Sequence, residues 1–159
     1  MTKRIAALLI AVILPMTMLF AGCGSKRLSV AEYRDQMKEY WTEFMQTNTA
    51  WAKMASEDLP QTDAEKSKYR DIISRREKAL DGIKKINPPQ EYTDKHKAIV
   101  ASLDYEYKWN AAALKLVDAK TEDEAEKIGA ELQNIVNSIP DGQSLPLLYV
   151  QLYRELKNK

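Results

Sequence analysis

At 159 residues, 45% of them hydrophobic and 30% charged, the chain has the length of one ordinary domain and no room for a two-domain enzyme. Five glycines, six prolines and one cysteine exclude collagen and disulfide scaffolds, and the hydrophobic share excludes a disordered chain. Lys3 and Arg4 belong to the N-terminal segment taken next; without them 22 basic groups face 23 acidic ones, which gives no electrostatic reason to expect a nucleic-acid partner.

The chain opens Met1-Thr2-Lys3-Arg4, continues in an apolar run from Ile5 to Leu14, and reaches Leu19-Phe20-Ala21-Gly22-Cys23-Gly24-Ser25. Positive charge, an apolar stretch and small residues in that order predict an export signal at residues 1–22. An uncleaved membrane helix would also fit the 18 residues from Ile5 to Gly22, but Pro15 near the middle and the small residues at the end favour cleavage. Cys23 makes the signal specific: Leu19-Phe20-Ala21-Gly22-Cys23 resembles the lipobox of bacterial lipoproteins. That family prefers Leu three residues before the cysteine, where this chain has Phe20; Ala21 and Gly22 match. The resemblance implies a diacylglyceryl thioether on Cys23, cleavage before it and acylation of the new amino terminus. Two or three acyl chains anchor a protein durably where one does not. Gly24 rather than Asp follows the cysteine, so in a cell with two membranes the family's inner-membrane retention signal is missing and outer-membrane sorting is open.

Residues 23–28 form the lipidated cysteine and a short tether, which at roughly 3.3 Å per residue reaches about 15 to 20 Å. Lys26 and Arg27 would then lie near the headgroups, as a solvated linker or as an anionic-lipid contact. From residue 29 to 159 the pattern predicts one all-α domain. Ser29 with Glu32 makes a capping box for helix one, over about 30–57, whose stripe holds Val30, Tyr33, Met37, Tyr40, Trp41, Phe44, Trp51 and Ala55. Asn48 falls within that stripe and is expected to fix register, the alternative being a ligand contact. After Leu59-Pro60-Gln61, Thr62 with Glu65 caps helix two, with Tyr69, Ile72, Ile73, Arg76, Leu80 and Ile83 on one side and Asn87-Pro88-Pro89 as the stop. Gly82 is expected to loosen its last turn.

Helix three starts near Gln90 or Thr93 and runs to Lys120. His96, Ile99, Val100, Leu103, Tyr107, Leu114 and Val117 lie on one face, and Ala98, Tyr105, Trp109, Ala112 and Leu116 nearly opposite. Two apolar faces require two packing neighbours, or one neighbour and an exposed patch. Thr121 with Glu124 opens helix four, which carries Ala125, Ile128, Leu132, Ile135, Val136 and Ile139. Pro140-Asp141-Gly142 turns the chain into a C-terminal helix from about Ser144 with Leu145, Leu148, Tyr149, Leu152 and Leu156 in register. Strand alternation is absent. Short connections then predict an antiparallel up-and-down bundle of four main helices plus a C-terminal one.

The chemistry-bearing residues are few. His96 is the single histidine and Cys23 is expected to carry lipid, so Cys-His catalysis and the usual zinc sites cannot be assembled. No Gly-x-Ser-x-Gly marks a nucleophile, and the five glycines are too scattered to cradle a phosphate. His96 is expected to satisfy a bundle neighbour; the sharper alternative is an axial haem or copper ligand opposite Met37. The acids Glu122, Asp123, Glu124 and Glu126 complement a helix dipole and need no metal. Tyr105 with Trp109 is the best candidate for a partner surface, provided the stripe is exposed.

The expectation is therefore a membrane-anchored extracytoplasmic lipoprotein acting as a non-enzymatic interaction or accessory module of the cell envelope, with no catalytic residues, metal or cofactor. Its partners would be the membrane, through the anchor, and an envelope protein. The alternatives are a small-ligand or haem-binding lipoprotein using His96 and the bundle aromatics, and an envelope hydrolase using carboxylates.

Overall fold

The computed structural model describes residues 26–55 and 60–158. The leader, Cys23, Gly24 and Ser25 lie outside them, as do the expected end of helix one at residue 57 and Leu59 of the first break. The helices are α1 (Val30–Ala55), α2 (Asp63–Lys85), α3 (Thr93–Asp118), α4 (Glu122–Asn137) and α5 (Leu145–Lys157), with a single 3-10 turn, Gln90–Tyr92, leading into α3. The protein is all-α, with no strand among the described residues.

The starts follow from the caps. Ser29 Oγ accepts from the Glu32 N–H at 3.3 Å while Glu32 Oε2 accepts from the Ser29 N–H at 2.8 Å, and Thr62 with Glu65 closes the same reciprocal pair. At α4 only half the box forms: Thr121 Oγ1 accepts from the Glu124 N–H, but the Glu124 carboxylate accepts from the Lys120 N–H instead of that of Thr121.

Three long helices pack in sequence, α1 on α2 and α2 on α3. The fourth position is shared. The Lys115–Glu131 ion pair ties α4 to the C-terminal half of α3, and the Lys95–Glu155 pair ties the end of α5 to the start of α3. α4 and α5 thus run in one direction, antiparallel to α3, like one helix broken at residues 138–144. The break is a turn in which the Gln143 N–H donates to the Pro140 carbonyl at 3.0 Å with Gly142 at φ 77°, a backbone that glycine adopts freely. Both apolar faces of α3 find neighbours, as their width requires, in α2, α4 and α5.

Two apolar clusters make the core. The first joins Tyr33, Met37, Phe44, Leu80, Ile83, Ile99, Leu103 and the inner face of α5; the second holds Trp51, Tyr69, Ile72, Ile73, Ala113 and Val117 at the other end. Gly82 has a different role from the expected loosening: a Cβ there would sit under 3.0 Å from three ring carbons of Tyr40, so the missing side chain is what lets α1 lie against α2.

The chain is held from its first described turn. The Leu28 N–H donates to the Asn87 carbonyl at 3.1 Å, and Arg27 Nη1 donates to Thr93 Oγ1 at 2.9 Å and to the Pro88 carbonyl at 3.4 Å. Pro88 and Pro89, expected only to stop α2, are buried beneath this contact.

Candidate functional site

α5 closes the bundle against α1, whereas α4 packs on α3 alone. α4 has no buried residue; Ala125, Ile128, Leu132, Ile135 and Ile139 are half-buried, and Val136, expected on its apolar side, is 49% exposed. Where α4 fails to reach α1 a cleft of about 340 Å³ opens, walled by Phe44, Trp51 and Ala52 of α1, Tyr105 and Trp109 of α3, Ile135 and Val136 of α4, and Ile139 just after it. Asn48, Arg76 and Glu106 also line it.

Arg76 is the centre of this region. It stands in the middle of the apolar stripe of α2 and is only 4% exposed. Its Nε donates to Asn48 Oδ1 at 2.9 Å, Nη1 donates to Asn110 Oδ1, and Nη2 pairs with Glu106 Oε2, whose side chain is 13% exposed. The guanidinium lies over the Phe44 ring at 4.8 Å and over the Trp109 ring at 4.4 Å. Phe44 belongs to the first apolar cluster, and Trp109 packs against the second, edge-on to Trp51 at 5.2 Å. A polar layer therefore separates the two halves of the core. Burial pushes Arg76 below its usual range and Glu106 above, in each case against the attraction of the partner. For both groups desolvation outweighs the pairing, the usual balance of a buried ion pair.

Of the sequence-predicted site residues, Tyr105 and Trp109 come together on one wall of the cleft, half-buried rather than freely exposed. His96 is elsewhere. It lies nine residues earlier on α3, about 13 Å along the axis, and is 5% exposed. Its Nδ1 is 3.1 Å from the Tyr33 hydroxyl, with the Tyr33 ring edge-on at 5.7 Å and the Tyr92 ring tilted against Tyr33 at 5.8 Å. It occupies the core beside α1. Asn48 sits where the stripe placed it and accepts from Arg76. Glu106 and Asn110 carried no signal of their own; the charge of Arg76 inside an apolar stripe was the clue that acceptors must face it.

Burial holds the His96 imidazole below its ordinary range, with the Ile83 carbonyl acting weakly in the opposite direction. A histidine whose folded pKa lies below the unfolded value stabilises the fold fully above that unfolded value, near 6.5, and loses the contribution as pH falls through the folded one. The melting temperature should accordingly fall on acidification from about pH 7 to about pH 5. His96→Gln, measured by thermal unfolding over the same range, should show a flatter slope.

No group of three or more His, Cys, Asp or Glu suited to a metal occurs among the described residues. No described helix is long and apolar enough to cross a membrane. No protein family model, curated protein or solved structure matches the chain.

Proposed function

We propose that the protein is a membrane-anchored extracytoplasmic lipoprotein, held through acylated Cys23, that serves the cell envelope as a non-enzymatic interaction module and presents the α1–α3–α4 cleft as its binding face. One observation carries this reading: the fold grips the chain at Arg27 and Leu28, four and five residues after the lipobox-like cysteine. An extended tether of that length reaches about 14 Å from Cys23 to Arg27, so the end of the bundle formed by the start of α1, the end of α2 and the start of α3 would rest near the bilayer. At 1.5 Å per residue along α1 and α3, the cleft stands roughly 20–30 Å away from that end, clear of the headgroups.

The surroundings of the titratable groups support binding rather than reaction. Glu106 is committed to Arg76, and His96 is turned into the core against Tyr33. A small-ligand role, the second reading, moves from His96 to the cleft, because Tyr105, Trp109 and the buried Arg76 meet there.

Cys23→Ala tests the anchor. Expressed as the full chain in a lipoprotein-processing host, the unaltered protein should sediment with membranes on their outer side. The variant should lose the lipid and the sedimentation while keeping its helical circular dichroism. Equal lipid-independent membrane association of both proteins would overturn the reading.

A further inference from the structure

The floor of the cleft has an unusual hydrogen-bonding balance. A guanidinium carries five N–H hydrogens; Arg76 spends one on Asn48, one on Asn110 and one on Glu106, which leaves one on each terminal nitrogen. Glu106 spends Oε2 on Arg76, and Oε1 accepts no hydrogen bond from the described residues. Arg76 and Glu106 both line the cleft, so donor and acceptor stand side by side in a pocket otherwise walled, apart from Asn48, by aromatic and aliphatic side chains. The guanidinium carbon lies over the Phe44 ring at 4.8 Å and over the Trp109 ring at 4.4 Å, so aromatic surface adjoins the donor group.

Charge decides the class of occupant. Arg76 and Glu106 neutralise each other, and an ion entering alone would bring an unmatched charge into a site that water reaches poorly. We propose that the cleft binds a small neutral molecule with a flat apolar body and an amide-type edge, whose carbonyl accepts from Arg76 and whose N–H donates to Glu106 Oε1. Primary carboxamides, lactams and similar heterocyclic edges have this paired pattern. A volume of about 340 Å³ fits one such molecule, at the lower end of ordinary ligand sites. The proposal rests on the cleft being the binding face and is independent of the anchor.

The test is a titration of the full ¹⁵N-labelled chain in detergent micelles with benzamide, benzoate and benzylammonium, followed by the three tryptophan indole resonances. Trp51 and Trp109 wall the cleft, while Trp41 stacks on Tyr149 at 4.1 Å and serves as the internal control. Benzamide should shift Trp51 and Trp109 but not Trp41, with affinity in the millimolar range and about tenfold above either ion. Glu106→Gln removes the counter-charge of Arg76 and should reverse the order, with benzoate now preferred over benzamide. Ala52→Phe, an exposed α1 position on the wall, leaves the polar layer intact and should abolish the shifts even if Glu106→Gln fails to fold. The proposal is overturned if benzamide leaves Trp51 and Trp109 unmoved, if benzoate binds the unaltered chain as well as benzamide does, or if Ala52→Phe changes nothing. Because membrane attachment is not measured, none of these outcomes bears on the anchor, and loss of the anchor would leave the titration unchanged.

Discussion

Arg76→Met alone should lower the free energy of unfolding by about 3–5 kcal/mol, and adding Glu106→Leu should return much of that loss. The single substitution strands the Glu106 carboxylate between α2 and α3 with no cation beside it. The effect should grow with pH. In the variant the folded pKa of Glu106, already raised by burial, lies further above its unfolded value. Stability is then present while the group is protonated and is lost as pH rises through the folded pKa. The double substitution removes both charges, and since desolvation outweighs attraction for each partner, an apolar pair is a tolerable replacement. Recovery will be incomplete. Asn110 is fully buried with its Nδ2 already lacking a partner, and loss of Arg76 also strips its Oδ1, at about 1–3 kcal/mol. Urea unfolding of the two single variants and the double gives the coupling directly; a double variant as unstable as the sum of the singles would contradict a coupled buried pair.

The second large effect is expected at Gly82→Ala. In an isolated helix this change would stabilise by up to about 1 kcal/mol. Here the new methyl group would overlap the Tyr40 ring, and separating α1 from α2 or rotating that ring should cost about 1–3 kcal/mol, so the sign reverses. Thermal unfolding of Gly82→Ala beside Tyr40→Ala/Gly82→Ala separates the causes. The second alanine should destabilise less, or not at all, once the ring is gone.

The helices were legible because their signals are local. Capping boxes at Ser29, Thr62 and Thr121, the double proline at Pro88 and Pro89, and the Pro140-Asp141-Gly142 turn set the five helices close to where the structure has them. Two features depended on a neighbour in space and could not be read along the chain. Gly82 has one meaning in a lone helix and another with Tyr40 packed on it. α4 has as regular an apolar stripe as the others, yet it covers α3 only, and the cleft exists because nothing in periodicity says how far a helix reaches toward a third one.

The site was partly legible for the same reason. Tyr105 and Trp109 stood out as an apolar stripe opposite the main face of α3, and they do meet at the cleft. His96 attracted notice by being the single histidine, a property of composition, whereas its place beside Tyr33 is a matter of packing. The partners of Arg76 come from two other helices: Asn48 on α1 and Glu106 and Asn110 on α3 converge on α2.

The proposed arrangement, a bundle held to a membrane by its first few residues with the cleft facing away, is tested most directly at the mature amino terminus. Mass spectrometry of the protein extracted from its own membranes and digested with trypsin should find the peptide Cys23-Gly24-Ser25-Lys26 as the N-terminal fragment, carrying a diacylglyceryl thioether. A free thiol at Cys23, or a fragment in which residues before Cys23 remain joined to it, would contradict the proposed anchor.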